Sequence, residues 1–96
     1  MNTGLSTSIR LPVRFTFVNG SDFRKQLMSA VRGDVRHLTL DLTDTEFMDS
    51  AGLGMLLVAL KECTTRAISL ALHRPKDDVK KLLKLTRSDE RFQITY

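Results

Sequence analysis

Residues 47–54 read FMDSAGLG, and this octapeptide joins two segments of different periodicity. Before it, residues 38–42 (LTLDL) alternate apolar and polar side chains, as in a β-strand with one buried face. After it, leucines between residues 53 and 60 follow the i, i+3, i+4, i+7 spacing of an amphipathic helix. The octapeptide therefore predicts a strand-to-helix turn that places Ser50 at a helix N-terminus.

A serine at that position has two possible meanings. The first N–H groups of a helix lack intrahelical acceptors, and the helix dipole favours negative charge there by roughly 0.3–1 kcal/mol, so a phosphate on Ser50 would be tolerated. Alternatively, Asp49 or Ser50 is an ordinary N-cap, worth about 1 kcal/mol over alanine. Gly52 and Gly54 favour a specialised turn, because glycine in a helix costs up to about 1 kcal/mol relative to alanine. Such a cost is expected where backbone must come close to another group.

The octapeptide and the strand before it resemble the signature of STAS domains, in particular of bacterial anti-sigma factor antagonists. The resemblance extends over residues 9–96, with residues 35–38 (VRHL) matching the third strand of the family and residues 85–92 (LTRSDERF) its closing segment. It implies a single α/β domain over residues 1–96, with a mixed sheet of four to five strands and three helices mainly on one face. The implied element order is β-β-α-β-α-β-α-β, with residues 1–8 a flexible N-terminus.

The resemblance also implies a function. Ser50 matches the phosphoacceptor of the family, so we expect the unphosphorylated protein to bind an anti-sigma factor that is also a serine kinase, and thereby to free a sigma factor. Phosphorylation of Ser50 would switch this binding off, and a serine phosphatase would reset it. The expected partner-binding residues are Met48, Asp49, Ser50, Ala51, Gly52, Leu53, Gly54 and Met55. In this scheme Asp49 orients the hydroxyl or marks the site for the kinase, the two glycines let the partner's backbone approach, and Met48, Leu53 and Met55 form rim contacts.

Two positions depart from the family pattern. Many members carry an aspartate, in a Gly-x-Leu-Asp segment after the second strand, that lies beside the phosphoacceptor. Here the segment is shorter (VNGSD, residues 18–22), which leaves open whether Asp22 takes that place. Ala51 stands where a second hydroxyl is common, so Ser50 has no rival phosphoacceptor beside it.

Composition restricts the classes of function. The chain has 96 residues, a net charge of +4 and one cysteine. No run of apolar residues approaches the ~18 needed to span a bilayer, and no secretory leader precedes the domain, so we expect a cytoplasmic protein without membrane insertion. The lysines and arginines of residues 76–91 are interspersed with acids and accompanied by few aromatics, which argues against direct nucleic-acid binding.

The remaining elements follow from local patterns. Apolar residues alternate from Ile9 to Phe17, and Pro12 is expected to split this run into a short first strand and a second strand at 13–17. A helix is predicted to start at an N-cap, Ser21, and to stop at Gly33. Further predictions are a strand at 35–42, a helix at 50–64, a strand at 67–73, a helix beginning near Pro75, and a last strand at 92–96.

The chemistry of an enzyme is missing from these patterns. His37 and His73 lack metal-ligand spacing, and Cys63 has no partner thiol, so we expect the first two at strand surfaces and the third in the core. Asp41, Asp44, Glu46 and Asp49 cluster near the turn, where they either hold a cation or form turns, caps and negative surface. We expect no catalytic residues, no metal and no cofactor.

Two other functions stay open. A STAS domain can also serve as an unmodified docking subunit of a membrane transport or stress-signalling complex, with Ser50 in a fixed surface. Nucleotide binding is disfavoured, because the chain contains no Gly-x-x-x-x-Gly-Lys-Ser/Thr loop. The sequence does not identify the sigma factor, the kinase, the phosphatase or the signal. It also leaves the oligomeric state open.

Overall fold

The computed structural model describes residues 5–96. Residues 5–96 contain six strands and three helices in the order β-β-α-β-β-α-β-α-β, together with two single turns of 3-10 helix at Phe17–Asn19 and Ser88–Glu90. The strands are β1 (Leu5–Arg10), β2 (Arg14–Phe15), β3 (Val35–Asp41), β4 (Phe47–Met48), β5 (Ser69–His73) and β6 (Gln93–Thr95), and the helices are α1 (Gly20–Ala30), α2 (Ser50–Thr65) and α3 (Asp77–Leu85).

The main sheet has the strand order β1-β3-β5-β6, and every pair in it is parallel. Its strands lie side by side in chain order, and a helix connects each to the next. Because such crossovers are right-handed, successive steps in one direction place α1, α2 and α3 on the same face. The predicted α/β domain with its helices on one face is confirmed.

The first two strands differ in detail from the prediction. Residues 5–8, expected to be flexible, belong to β1, and residues 1–4 lie outside the described part of the chain. Pro12 separates β1 from β2 as expected, but β2 is only two residues long. It pairs in parallel with β4 in a separate two-stranded ribbon, so β1 and β2 form no hairpin and the described main sheet is parallel where a mixed one was expected. Phe17, predicted to be in the second strand, is exposed in the 3-10 turn because the chain leaves the extended conformation after Phe15.

The core lies between the sheet and the helices. The predicted strand leucines Leu38, Leu40 and Leu42 are all buried, and so are Ile68, Leu70 and Leu72. Leucine spacing misjudged the buried face of α2, which consists of Gly52, Leu53, Leu56, Ala59 and Cys63. Leu57 and Leu60, expected on that face, are only partly buried at the margin of the core.

Helix termini also required correction. Helix α1 begins at Gly20, with Asn19 as its N-cap, so Ser21 lies within the first turn rather than at the cap. Helix α3 begins at Asp77, and Pro75 precedes its N-cap. Gly33 has a φ of 68°, which suits the left-handed turn that follows α1.

Candidate functional site

The octapeptide forms the connection between the two-stranded ribbon and α2. Thr45, fully buried, donates a hydrogen bond from its hydroxyl to the carbonyl oxygen of Pro12 at 2.9 Å. The backbone N–H groups of Glu46 and Phe47 donate to the carbonyl oxygen of Val13 at 2.8 and 3.2 Å. The segment between β1 and β2 therefore fixes the chain that leads into α2, through contacts more than 30 residues apart in sequence.

Asp49 is the N-cap of α2. Its extended backbone (φ −93°, ψ −178°) turns the chain into the helix, and its Oδ1 accepts a hydrogen bond from the N–H of Gly52 at 2.7 Å. The carboxylate satisfies one of the free N–H groups of the first turn and places negative charge at the positive end of the helix dipole. Asp49 therefore has the capping role that the sequence assigned to either Asp49 or Ser50.

Ser50 is the first residue of α2, and its side chain is exposed. Because the cap is made by Asp49, the Ser50 hydroxyl is not needed to start the helix. It is open to a modifying enzyme and lies where the helix dipole favours an anion. Ala51 is exposed beside it.

The two glycines of the first turns face opposite environments. Gly52 is buried, and a Cβ at this position would lie 2.2 Å from the carbonyl oxygen of Phe15 and 2.7 Å from Cγ of Met48. Gly52 therefore lets β2 of its own chain come close, which corrects the expectation that it makes room for a partner's backbone. A Cβ at Gly54 would meet nothing within 4 Å, so the fold itself does not require glycine there.

The expected rim contacts also divide into two groups. Met48 and Leu53 are buried in the core, only 8% and 7% exposed, contrary to the exposure expected of rim contacts. Their positions follow from the packing of β4 and the first turn of α2 against the rest of the core. Met55 is partly buried and packs against the core, next to Gly20. The octapeptide and Met55 thus present mainly Phe47, Ser50 and Ala51 to solvent, with Gly54 half-buried.

Two exposed apolar residues that the sequence analysis missed lie in the same region. Phe17 and Val18 are 74% and 70% exposed in the 3-10 turn. The turn is flanked by Phe15, whose carbonyl packs against Gly52, and by Gly20, which lies next to Met55. It therefore lies beside the first two turns of α2. Alternation from Ile9 to Phe17 had placed Phe17 in a strand, and no local signal revealed its exposure.

Exposed apolar area continues on both sides. Val58, 57% exposed, lies one helical turn beyond Gly54 on α2. Phe47 is 42% exposed, and the guanidinium carbon of Arg14 lies 4.5 Å from the centre of its ring. We give the name α2 surface to a set of exposed residues together with the half-buried Gly54; the exposed residues are Phe17, Val18, Phe47, Ser50, Ala51 and Val58.

The acidic residues near the turn are engaged by other groups. Asp41 accepts hydrogen bonds from the hydroxyl and the N–H of Thr43, Asp44 pairs with Arg10 at 2.9 Å, and Glu46 pairs with Lys76 at 3.6 Å. The hydrogen bond from the Thr43 hydroxyl is the main cause that holds the pKa of Asp41 below its ordinary value. Within residues 5–96, no three His, Cys, Asp or Glu side chains are grouped to hold a metal ion.

The other residues that the sequence singled out lie at the surface, in a side-chain hydrogen bond or in the core. His37 is exposed on β3, and Nδ1 of His73 lies 2.7 Å from the hydroxyl of Thr95. Cys63 is fully buried, as predicted, and burial raises the pKa of its thiol, which disfavours the reactive thiolate. Asp22 is exposed in the first turn of α1 and lines a hollow with Arg10, Asn19 and other residues.

None of the helices between residues 5 and 96 combines the length and the apolar character needed to cross a bilayer.

Several known proteins share this architecture. A STAS-domain containing protein of Pseudomonas aeruginosa (strain UCBPP-PA14) is 27% identical over 92 residues, covering 96% of this chain and 90% of the relative. Among solved structures, a protein of Thermotoga maritima assigned to the anti-sigma factor antagonists superimposes with a TM-score of 0.77 at 24% identity, covering 97% of this chain and 84% of that one.

Two further structures extend the comparison. The anti-sigma factor antagonist SpoIIAA, in its unphosphorylated form, gives a TM-score of 0.73 at 22% identity over 100% of this chain and 83% of its own. A sulfate transporter family protein of Wolinella succinogenes gives 0.82 at 15% identity over 94% of this chain and 75% of its own. At these identities the likeness shows a common fold.

The family model of the STAS domain matches residues 3–96, which is nearly the whole chain. The match includes the strand-to-helix turn, the N-cap Asp49 and the exposed Ser50 described above. The chain belongs to the STAS domain family.

Proposed function

We propose that the protein is an anti-sigma factor antagonist whose α2 surface binds an anti-sigma factor with serine kinase activity and is switched off by phosphorylation of Ser50. It acts as a binding module in the cytoplasm and performs no catalysis itself. A separate serine phosphatase restores the binding form. The observation that carries the proposal is the position of Ser50, exposed at the start of α2 within an exposed and partly apolar surface.

The separation of capping from modification supports this assignment. Asp49 caps the helix, so a kinase can modify the Ser50 hydroxyl without removing a group that holds α2 in place. The helix N-terminus accommodates the resulting phosphate, so the fold itself changes little. The signal is then a local change of charge that a partner detects.

The size of that change is sufficient for a switch. Phosphorylation adds about −1.5 to −2 charges at neutral pH. Inside a protein interface an uncompensated charge costs several kcal/mol, and a loss of ~3 kcal/mol lowers affinity more than a hundredfold.

The apolar part of the α2 surface supports a protein as the partner. Phe17, Val18 and Val58 are each more than half exposed in a chain of only 96 residues. Exposed apolar patches bordered by polar residues are typical of protein-binding sites. Aromatic residues such as Phe17 frequently contribute most to binding energy.

Solved relatives support the same assignment at the level of the fold. Two of the compared structures are anti-sigma factor antagonists, and one of them, SpoIIAA, is described in an unphosphorylated form. A regulatory phosphate on the matching helix of this chain agrees with that description.

The proposal is tested by capturing the partner from an extract of the native cells with the Ser50→Ala and Ser50→Asp variants, and then measuring affinity with the purified partner. Ser50→Ala is expected to bind like the unphosphorylated protein. Ser50→Asp, with one charge and fewer oxygens than phosphate, is expected to bind about tenfold more weakly. The captured partner, given ATP, should phosphorylate wild-type protein but not Ser50→Ala.

Ser69→Asp is a matched control, because Ser69 is an exposed serine on β5, outside the α2 surface. It introduces the same charge and should bind the partner like wild type. Equal binding by Ser50→Ala, Ser50→Asp and wild type would refute the switch.

A second candidate function is a docking subunit of a transport or stress-signalling complex that is never phosphorylated. The likeness to a sulfate transporter family protein favours it at the level of the fold. In that case the α2 surface would still bind a protein, but the extract would yield a membrane complex and no kinase.

A further inference from the structure

The main sheet has an open edge at β1. Within residues 5–96, β1 pairs with β3 on one side and with no strand on the other. Just beyond β1, the N–H of Leu11 donates to the carbonyl oxygen of Asp41 at 2.9 Å, toward the interior of the sheet. Successive residues of a strand direct their backbone groups to opposite edges, so Ser6, Ser8 and Arg10 direct theirs outward. These residues offer a regular row of donors and acceptors to an added strand.

An open groove of about 890 Å³ runs along this edge, between β1 and α1. Lys25, Gln26 and Ser29 line it from the helix, and Ala30 and Val35 supply apolar area. A strand added to β1 would therefore place alternate side chains toward the exposed face of α1. The groove includes no residue of the α2 surface.

The charge along this groove is mainly positive. Lys25 lies in the groove, and an adjoining hollow is lined by Arg24 of the same helix and by Arg32, just beyond the end of that helix. The carboxylates Asp22 and Asp34 lie near its two ends rather than along it: Asp22 shares a hollow with Arg10, and the carbonyl oxygen of Asp34 bonds to the N–H of Leu5. Arg10 itself is paired with Asp44 at 2.9 Å.

This charge decides between two occupants of the edge. If a second copy paired its own β1 here about a two-fold axis, the two α1 helices would lie side by side and their cations would face each other. Cations that face each other across such an interface repel and disfavour association. Glutamate or aspartate side chains on an added strand would instead face Lys25.

We infer that the open edge of β1, together with the groove along α1, binds an extended acidic segment of a partner protein by β-strand addition. Backbone hydrogen bonds to Ser6, Ser8 and Arg10 supply the binding, and Lys25 selects acidic side chains. The site is separate from the α2 surface, so one molecule can hold two partners, or two parts of one partner, at the same time.

The probe for this site is a peptide of about ten residues that alternates glutamate and valine, with a peptide that alternates lysine and valine as its charge-reversed control. Amide resonances and hydrogen exchange of ¹⁵N-labelled protein report binding. The acidic peptide is expected to shift the resonances of Ser6, Ser8 and Arg10 and to slow their exchange about tenfold or more, because their N–H groups become hydrogen-bonded. The basic peptide should do neither.

Two variants separate the backbone contribution from the charge. Ser8→Pro removes an outward N–H, which proline permits at an edge strand, and should abolish binding of the acidic peptide. Ser8→Ala keeps the N–H and should bind like wild type. Lys25→Glu, on an exposed helix face, should weaken binding about tenfold.

Three results would overturn the inference. The first is the absence of slowed exchange at Ser6, Ser8 and Arg10 with the acidic peptide. The second is equal binding of the acidic and basic peptides, or of the Ser8→Pro and wild-type proteins. The third is slowed exchange that grows with protein concentration without peptide, because a second copy would then occupy the edge. None of these results bears on Ser50, so the failure of this inference leaves the proposed function to its own test.

Discussion

The inner and outer sides of the first two turns of α2 obey different constraints, and Gly52 and Gly54 illustrate the difference. On the inner side, the carbonyl oxygen of Phe15 and the side chain of Met48 leave no space for a Cβ at Gly52. On the outer side, nothing lies within 4 Å of a Cβ at Gly54, and Ser50 and Ala51 are exposed. The fold thus explains the glycine at position 52. Glycine at position 54 lowers the stability of the helix, and no contact within the described chain requires it. Binding of a partner supplies a reason for the outer glycine.

The largest expected effect comes from the inner side. Gly52→Ala should lower the free energy of unfolding by about 3 kcal/mol, the upper end for overpacking, because the methyl group meets backbone that cannot rotate away. Urea denaturation followed by circular dichroism measures the change. A loss below about 0.5 kcal/mol would show that β2 moves aside freely, and the distinction between the two sides would then fail.

On the outer side, Phe17→Ala should weaken binding of the captured partner about tenfold or more, as expected for an aromatic contact at the centre of an interface. Stability should change by less than about 0.5 kcal/mol, because Phe17 is 74% exposed. Tyr96→Ala is a matched control, since Tyr96 is an aromatic residue of similar exposure (73%) after the last strand. Equal affinities for the two variants would remove Phe17 from the α2 surface.

Substitution of the N-cap Asp49, which lies between the two sides, should have an effect of intermediate size on the free energy of unfolding. Asp49→Ala should cost about 1 kcal/mol of stability through loss of the hydrogen bond to the N–H of Gly52. Ser50→Ala should cost less, because Ser50 does not cap the helix. Denaturation of both variants checks the order, and the reverse order would mean that Ser50 is the group that starts α2.

The smallest effect has the opposite sign. Gly54→Ala should raise the free energy of unfolding by about 0.5–1 kcal/mol, because alanine favours a helix more than glycine and has space at this position. It should also weaken partner binding, if the partner approaches the helix backbone at Gly54. Denaturation and titration calorimetry on the same variant check both parts. Greater stability with unchanged affinity would place Gly54 outside the interface.

Most of the element order was predictable from local periodicity, but the two-residue strand β4 was not, because its pairing with β2 is a contact distant in sequence. Alternation identified the strand leucines around Leu40, and the change of period at residues 47–54 identified the turn that carries Ser50. Each of these features depends on residues close in sequence, so local patterns were sufficient to predict it. The structure confirmed both. The parallel direction of the whole main sheet was not predicted, because the pairing of β2 with β4 in a separate ribbon depends on contacts distant in sequence.

The details that failed depend on contacts distant in sequence. The role of Gly52 is set by Phe15, which lies 37 positions earlier and reaches α2 through the pairing of β2 with β4. The buried face of α2 includes Ala59, whereas Leu57 is only partly buried, and the leucine spacing alone did not show which face packs on the sheet. Phe17 is exposed because the chain turns after Phe15, and alternation continued through that point without marking the turn.

The central claim is that Ser50 carries a regulatory phosphate on a surface that binds a partner. The most direct test is intact-mass measurement and peptide mapping of the protein purified from its native cells, grown with and without stress. If Ser50 is the switch, the mass increases by one phosphate group, which is located on Ser50 and has an occupancy that changes with growth condition. A protein that carries no phosphate under any condition, and that co-purifies with a stable membrane complex, would contradict the switch and support the docking subunit.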